Sequence, residues 1–185
     1  MTVRIERLAV TLVIALNLAL QANLSGAERA GEYQVKAAFL LKFASYVDWP
    51  EGKSSADPFV VGILGEDPFG AVLDEMLAGE AIRGRPLVAR RFESASDAAR
   101  EADILFISAS EQSNLPRILE TVDARPVLTV GDMDRFASRG GIVGFRVEGT
   151  SVRFEINLQQ AEKARLKMSS QLLKLARIVT SGRDL

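Results

Sequence analysis

One feature restricts the fold more than any other, an alternation of short apolar runs with stretches that read as helices. "FVVGILG" (59–65), "RPLVARRF" (85–92), "DILFIS" (103–108) and "PVLTVG" (126–131) have strand length and largely apolar interiors. Between them lie "EDPFGAVLDEML", with Asp67 as cap and Pro68 in the first turn, "SASDAAREA" with a capping serine, and "EQSNLPRILETV", starting near Ser110. A short helix "DMDRFASR", capped by Asp132, follows the fourth run. Strands buried on both faces lose the in–out alternation of a half-exposed strand, so this order predicts a mostly parallel sheet with helices on both faces.

The pattern changes at both ends. "GGIVGFRV" and "SVRFEIN" flank "EGT", which contains Gly149, and read as an antiparallel hairpin added to the sheet. "LQQAEKARLKMSSQLLKLARIV" (158–179) reads as one long helix with Met168, Leu172, Leu175 and Val179 as its apolar stripe. Before the first strand, residues 31–50 read as an amphipathic helix. Val35, Phe39, Phe43 and Val47 recur every four residues, Leu40 and Ala44 widen the stripe, and Glu32, Lys36 and Lys42 sit off its centre. Pro50 disfavours helical geometry at Trp49 and ends it.

Residues 1–27 read as a secretory signal peptide. Arg4 and Arg7 precede an apolar run from Leu8 to Leu20, and Ser25-Gly26-Ala27 offers a cleavage site. The run is shorter than the roughly 20 residues a spanning helix needs. The expectation is a cleaved leader, a mature N-terminus between Glu28 and Gly31, and a soluble periplasmic domain over 28–185. An uncleaved anchor is the alternative.

Composition removes several chemistries. The chain of 185 residues has no cysteine and no histidine, which excludes disulfides, Cys/His zinc sites and a Ser-His-Asp triad. A formal net charge of −1 offers no general footprint for nucleic acid. Neither a metal nor a cofactor is called for: "GILGEDPFG" lacks the dinucleotide spacing and the Walker lysine, and "GDMDRF" lacks the ligands of a calcium loop.

Two groups of residues are candidates for binding. In open parallel sheets ligands sit beyond the carboxyl ends of the strands. That rim is Gly65 to Asp67, Ser108 to Ser110 and Gly131 to Asp132, with Asp67, Ser108, Ser110 and Asp132 as its polar groups. The second group is Tyr46 and Trp49 at the end of the first helix, with Arg83, Arg85, Arg90 and Arg91 of "IRGRPLVARRF". Arginine and large aromatics dominate many interfaces. The plainer alternatives are a helix end clamped on the sheet and arginines facing water along an edge strand.

Taken together, "YQVKAAFLLKFASYVDWP", "VGILGEDPFG", "IRGRPLVARR", "ILFIS", "PVLTVGD", "FASRGGIVGF" and "VRFEINLQQAEKARLKMSSQLLKLA" resemble the successive motifs of the YfiR-like periplasmic regulators, in order, over nearly the whole mature chain. The resemblance implies a non-enzymatic repressor. It would bind the periplasmic region of an inner-membrane diguanylate cyclase and lower cyclic di-GMP, controlling biofilm and motility. An outer-membrane lipoprotein would be its antagonist, and a homodimer is compatible with the reading. Family members commonly carry cysteine pairs; this chain has none, so redox control is not implied. The competing function is a periplasmic small-molecule sensor whose ligand occupies the strand rim.

Overall fold

The computed structural model describes residues 26, 28–50, 54 and 56–182. The leader read over residues 1–27 lies almost wholly outside them. Helix α1 spans 28–46 and passes into β1 (Val47–Asp48). β2 (Phe59–Leu64), α2 (Ala71–Leu77), β3 (Ala81–Ile82), β4 (Arg85–Phe92), α3 (Ala95–Glu101), β5 (Ile104–Ile107), α4 (Leu115–Val122) and β6 (Leu128–Gly131) follow. The hairpin β7 (Val143–Glu148) and β8 (Ser151–Asn157) comes next, then α5 (Leu158–Lys163), β9 (Lys167–Met168), α6 (Ser170–Leu173) and β10 (Arg177–Val179).

Eight strands form one sheet in the order β10-β8-β7-β6-β5-β2-β4-β3. β4, β2, β5, β6 and β7 are mutually parallel; β3 runs against β4 and β8 against β7, while β10 is parallel to β8. This is the α/β architecture expected from the strand–helix alternation. The chain works outward from β2 to β4, then returns to β5 and continues the other way, so the direction of winding switches between β2 and β5.

Period-two alternation sorts the apolar runs onto two cores. Ile104 and Phe106 of β5 face a core shared with α1 and α2, where Leu40, Phe43, Leu73 and Leu77 are buried. Leu105 and Ile107 face a second core with Ala98 and Ala99 of α3 and Leu115, Ile118 and Val122 of α4. Both faces of β5 are covered, which is why "ILFI" shows no polar alternation.

Four expectations need correction. First, α1 ends at Tyr46, and Val47–Asp48 pairs antiparallel with β9 instead of continuing the helix. Its inward stripe is Tyr33, Lys36, Ala37, Leu40, Phe43, Ala44 and Val47; Val35 is exposed and Phe39 half-buried. Second, α2 starts at Ala71, and Asp67 caps the turn before it by accepting from the Phe69 and Gly70 amides.

Third, residues 132–142 form turns rather than a helix capped by Asp132. Phe136 plugs the second core, where a Cβ at Gly131 or Gly141 would collide with its ring. Arg135 takes a left-handed φ of 56°, which interrupts helical propagation. Fourth, residues 158–179 are two short helices and two short strands. Arg165 is left-handed at φ 59°, Leu175 is 67 % exposed, and Arg177–Val179 joins the sheet beside β8. Sheet pairing and the β-branched pair Ile178-Val179 outweigh the helical spacing there.

The hairpin is as read. Glu148 pairs with Ser151 around Gly149-Thr150, and the left-handed φ of 61° at Gly149 is what a tight two-residue turn requires.

Candidate functional site

The two ends of the sheet treat the candidate residues differently. At the amino end, Asp103 immediately precedes β5 and is 2 % exposed. Its carboxylate accepts the Val60 amide at 2.8 Å and two Arg85 guanidinium bonds at 3.1 and 2.8 Å. Arg85 also donates to the carbonyls of Asp57 and Pro58 and lies 5.1 Å from the Phe59 ring centroid. Trp49 closes this arrangement. Its Nε1 donates to the Asp103 carbonyl at 3.2 Å, and its ring packs edge-on against Phe59.

The other arginines also find partners within the chain. Arg83 pairs with Asp48 and Arg90 with Glu101. Arg91 binds Asp67, Asp74 and the Gly70 carbonyl, which fastens the end of β4 to the start of α2. The Arg91 hydrogen bond holds the Asp74 carboxyl below the ordinary carboxylate value. Tyr46 stands apart, 39 % exposed beside a small groove lined by Phe39, Lys42, Phe154 and Leu175.

At the carboxyl end, the rim at the switch between β2 and β5 is filled by the protein itself. Ser110 Oγ accepts the Glu66 amide at 2.9 Å. A Cβ at Gly65, whose φ is 91°, would strike that hydroxyl and Glu111. Ser108 is buried, and Asp67 is held by turn amides and Arg91. Of the four polar rim residues, Asp132 alone lines the large cleft described next.

That cleft, of about 810 Å³, opens beyond the end of β6. Its walls follow from strand lengths. β7 pairs with β6 through Val130–Val143 and Gly131–Gly144, and its next residues, Phe145 to Glu148, run on past the end of β6. The start of α1 and the 132–138 loop enclose the space left behind. The floor is Lys36, 2 % exposed, whose Nζ lies 2.6 Å from Asp132 Oδ2, 2.5 Å from Glu32 Oε1 and 4.3 Å from the Tyr33 ring centroid. The Tyr33 hydroxyl donates to the same Asp132 oxygen at 2.8 Å. Burial, then the Asp132 carboxylate, raise the Tyr33 phenol above the ordinary tyrosine range. The opposite wall carries Arg146, 2.7 Å from Glu155, with Arg177 at 3.6 Å from the same carboxylate. Glu155 holds the Arg146 guanidinium above its ordinary value.

Sequence reasoning missed Tyr33, Lys36, Arg146, Glu155 and Arg177. One signal was available for Lys36. It stands at the 3-4-3 spacing of the true stripe (33, 36/37, 40, 43/44, 47), so a lysine on that face must be buried. Arg146, Glu155 and Arg177 meet through strand pairing and carry no local signal.

The sequence profile of the family described as YfiR/HmsC-like matches residues 33–177, well over half of the chain. Among solved structures, the chain is similar to the ABC domain in complex with L-Trp from Streptococcus pneumonia, at 10% identity and a TM-score of 0.50, over 65% of this chain and 55% of that one. It is also similar to a conserved domain protein from Vibrio cholerae O1 biovar eltor, at 13% identity and a TM-score of 0.49, over 64% and 54%. The chain thus spans about half the length of each of these structures. At such identity the first likeness speaks of fold alone.

Proposed function

The chain belongs to the YfiR/HmsC-like family, and from that membership we propose that it is a periplasmic repressor of an inner-membrane diguanylate cyclase. It binds the cyclase's periplasmic region, holds the enzyme inactive and lowers cyclic di-GMP. Export depends on the leader over residues 1–27, and an outer-membrane lipoprotein competes for the repressor. The observation that carries this reading is the family match across residues 33–177. Members of this family are regulators rather than enzymes. Among the described residues no helix is long and apolar enough to cross a membrane.

The contact surface belongs to the residues singled out above: Tyr46, Trp49, Arg83, Arg85 and Arg91. Their structural setting ranks them. Trp49, Arg85 and Arg91 spend most of their bonds inside the fold, so removing them perturbs the protein itself. Tyr46, Arg83 and Arg91 are the exposed members; Arg91 is held by Asp67 and Asp74, and Arg83 reaches Asp48, two residues from Tyr46. Tyrosine and arginine are among the residue types that most often anchor an interface.

The test is genetic. Deleting the gene raises cyclic di-GMP and restoring it lowers the level. Complementation with Tyr46→Ala or Arg83→Ala, each with a native circular dichroism spectrum, restores repression incompletely. An unchanged level in the deletion strain, with the cyclase present and expressed, overturns the repressor reading. A second reading, small-molecule sensing, is favoured by the cleft at the carboxyl end, and it is compatible with the first through linkage.

A further inference from the structure

The cleft beyond β6 has two walls of opposite excess charge. On the wall made by α1 and the 132–138 loop stand the carboxylates Glu32, Asp132 and Asp134 against Lys36 and Arg135. On the wall made by the hairpin and β10 stand Arg146 and Arg177 against Glu155. Each wall therefore carries one formal charge in excess, negative on the first and positive on the second. Glu148, which Arg146 also touches, sits at the hairpin turn and does not line the cleft. Between the walls the Tyr33 ring and Phe145 add aromatic surface beside Lys36.

From this arrangement we propose that the cleft binds a small zwitterion, its cationic group towards Glu32 and Asp134 and its carboxylate towards Arg146 and Arg177. Three features support a site over a solvated groove. The volume of about 810 Å³ falls in the range of small-molecule pockets. The position, beyond the carboxyl end of a parallel strand, is where such sheets place ligands. The floor contains a desolvated ion pair, Lys36 with Asp132, although an apolar side chain at position 36 would dock α1 without that desolvation cost. Opposite poles select by charge separation. A lone cation meets the guanidinium wall and a lone anion meets the carboxylate wall, and both are disfavoured. The site does not depend on which protein is repressed, because the residues that form it lie at the opposite end of the sheet from Arg83 and Trp49.

The experiment uses the protein isolated from the periplasm and the unbranched ω-amino acids from glycine to 6-aminohexanoate as probes. Calorimetric titration and thermal melts compare each with the alkylamine and the alkanoate of equal length. At least one ω-amino acid binds saturably and raises the melting temperature, and its singly charged analogues bind at least tenfold more weakly. Asp134→Asn and Arg177→Gln, both at exposed positions, each weaken that binding at least tenfold while the circular dichroism spectrum stays native. Lys163→Gln, outside the cleft, leaves it unchanged. The proposal is overturned if no member of the series binds saturably, if amine or carboxylate alone binds as well, or if neither cleft variant weakens binding.

Discussion

Each end of the sheet sinks an ion pair, and the two pairs are buried to similar depth: Arg85 with Asp103 at 11 % and 2 % exposure, Lys36 with Asp132 at 2 % and 9 %. Each cation also lies over an aromatic ring. The surroundings differ. The planar guanidinium spends its donors on both Asp103 oxygens and on the carbonyls of Asp57 and Pro58, and the Trp49 indole closes over the Asp103 carbonyl. The compact ammonium binds two carboxylates and is left as the floor of an open cleft. A rigid fork with many donors knits an end shut, whereas a point charge on a flexible stem can serve a space that stays open. Burial alone therefore does not distinguish a structural ion pair from one at a binding site. What lies above it does.

Three outcomes test that contrast. The largest effect belongs to the closed end. Asp103→Ala strands a buried guanidinium and the Val60 amide, and costs about 3–5 kcal/mol in denaturant unfolding. Lys36→Met costs less, about 1–3 kcal/mol, because Asp132 keeps the Tyr33 hydroxyl and borders a space that water can enter. Equal losses in the two variants would mean that the two ends are alike, and the contrast would fail.

The smallest effect is a titration. The Tyr33 phenol is held above its ordinary value by burial and then by Asp132, so folding favours its neutral form. Its contribution is complete below the unfolded tyrosine value of about 10, and is lost as pH rises above it, where the unfolded chain ionises first. In a Tyr46→Phe background Tyr33 is the sole tyrosine. Absorbance at 295 nm then shows ionisation only above the ordinary tyrosine range, while Asp132→Asn brings it back towards that range. Normal titration of Tyr33 in the Tyr46→Phe protein would show that the floor of the cleft is solvated.

Much of the parallel sheet was legible in the chain. A fully buried strand such as "ILFI" must be apolar at every position, and α3 carries the cap read for it, Ser94 accepting the Asp97 amide. The candidate site was barely legible. Asp132 was marked both as a polar group of the strand rim and as a helix cap, but its partners Tyr33 and Lys36 come from 99 and 96 residues away. The arginines of "RGRPLVARR" drew notice as surface charges, yet Arg85 is a buried clamp. Side-chain type reports what a residue can bond, and only the fold reports what it meets.

Hydrophobic periodicity, turn residues and composition by themselves determined the α/β class, the hairpin around Gly149, and the absence of thiol and imidazole chemistry, because these depend on neighbours in sequence or on counts. Tertiary structure decided the rest. Helical spacing in residues 158–179 gave way to β10 because the outer edge of β8, whose other edge pairs with β7, offered backbone hydrogen bonds at Glu155 to Asn157. Lys36 was drawn inward because Asp132 waits at the end of β6. The cleft exists because β7 outruns β6, a relation between strand ends that pairing across the sheet sets and sequence proximity does not.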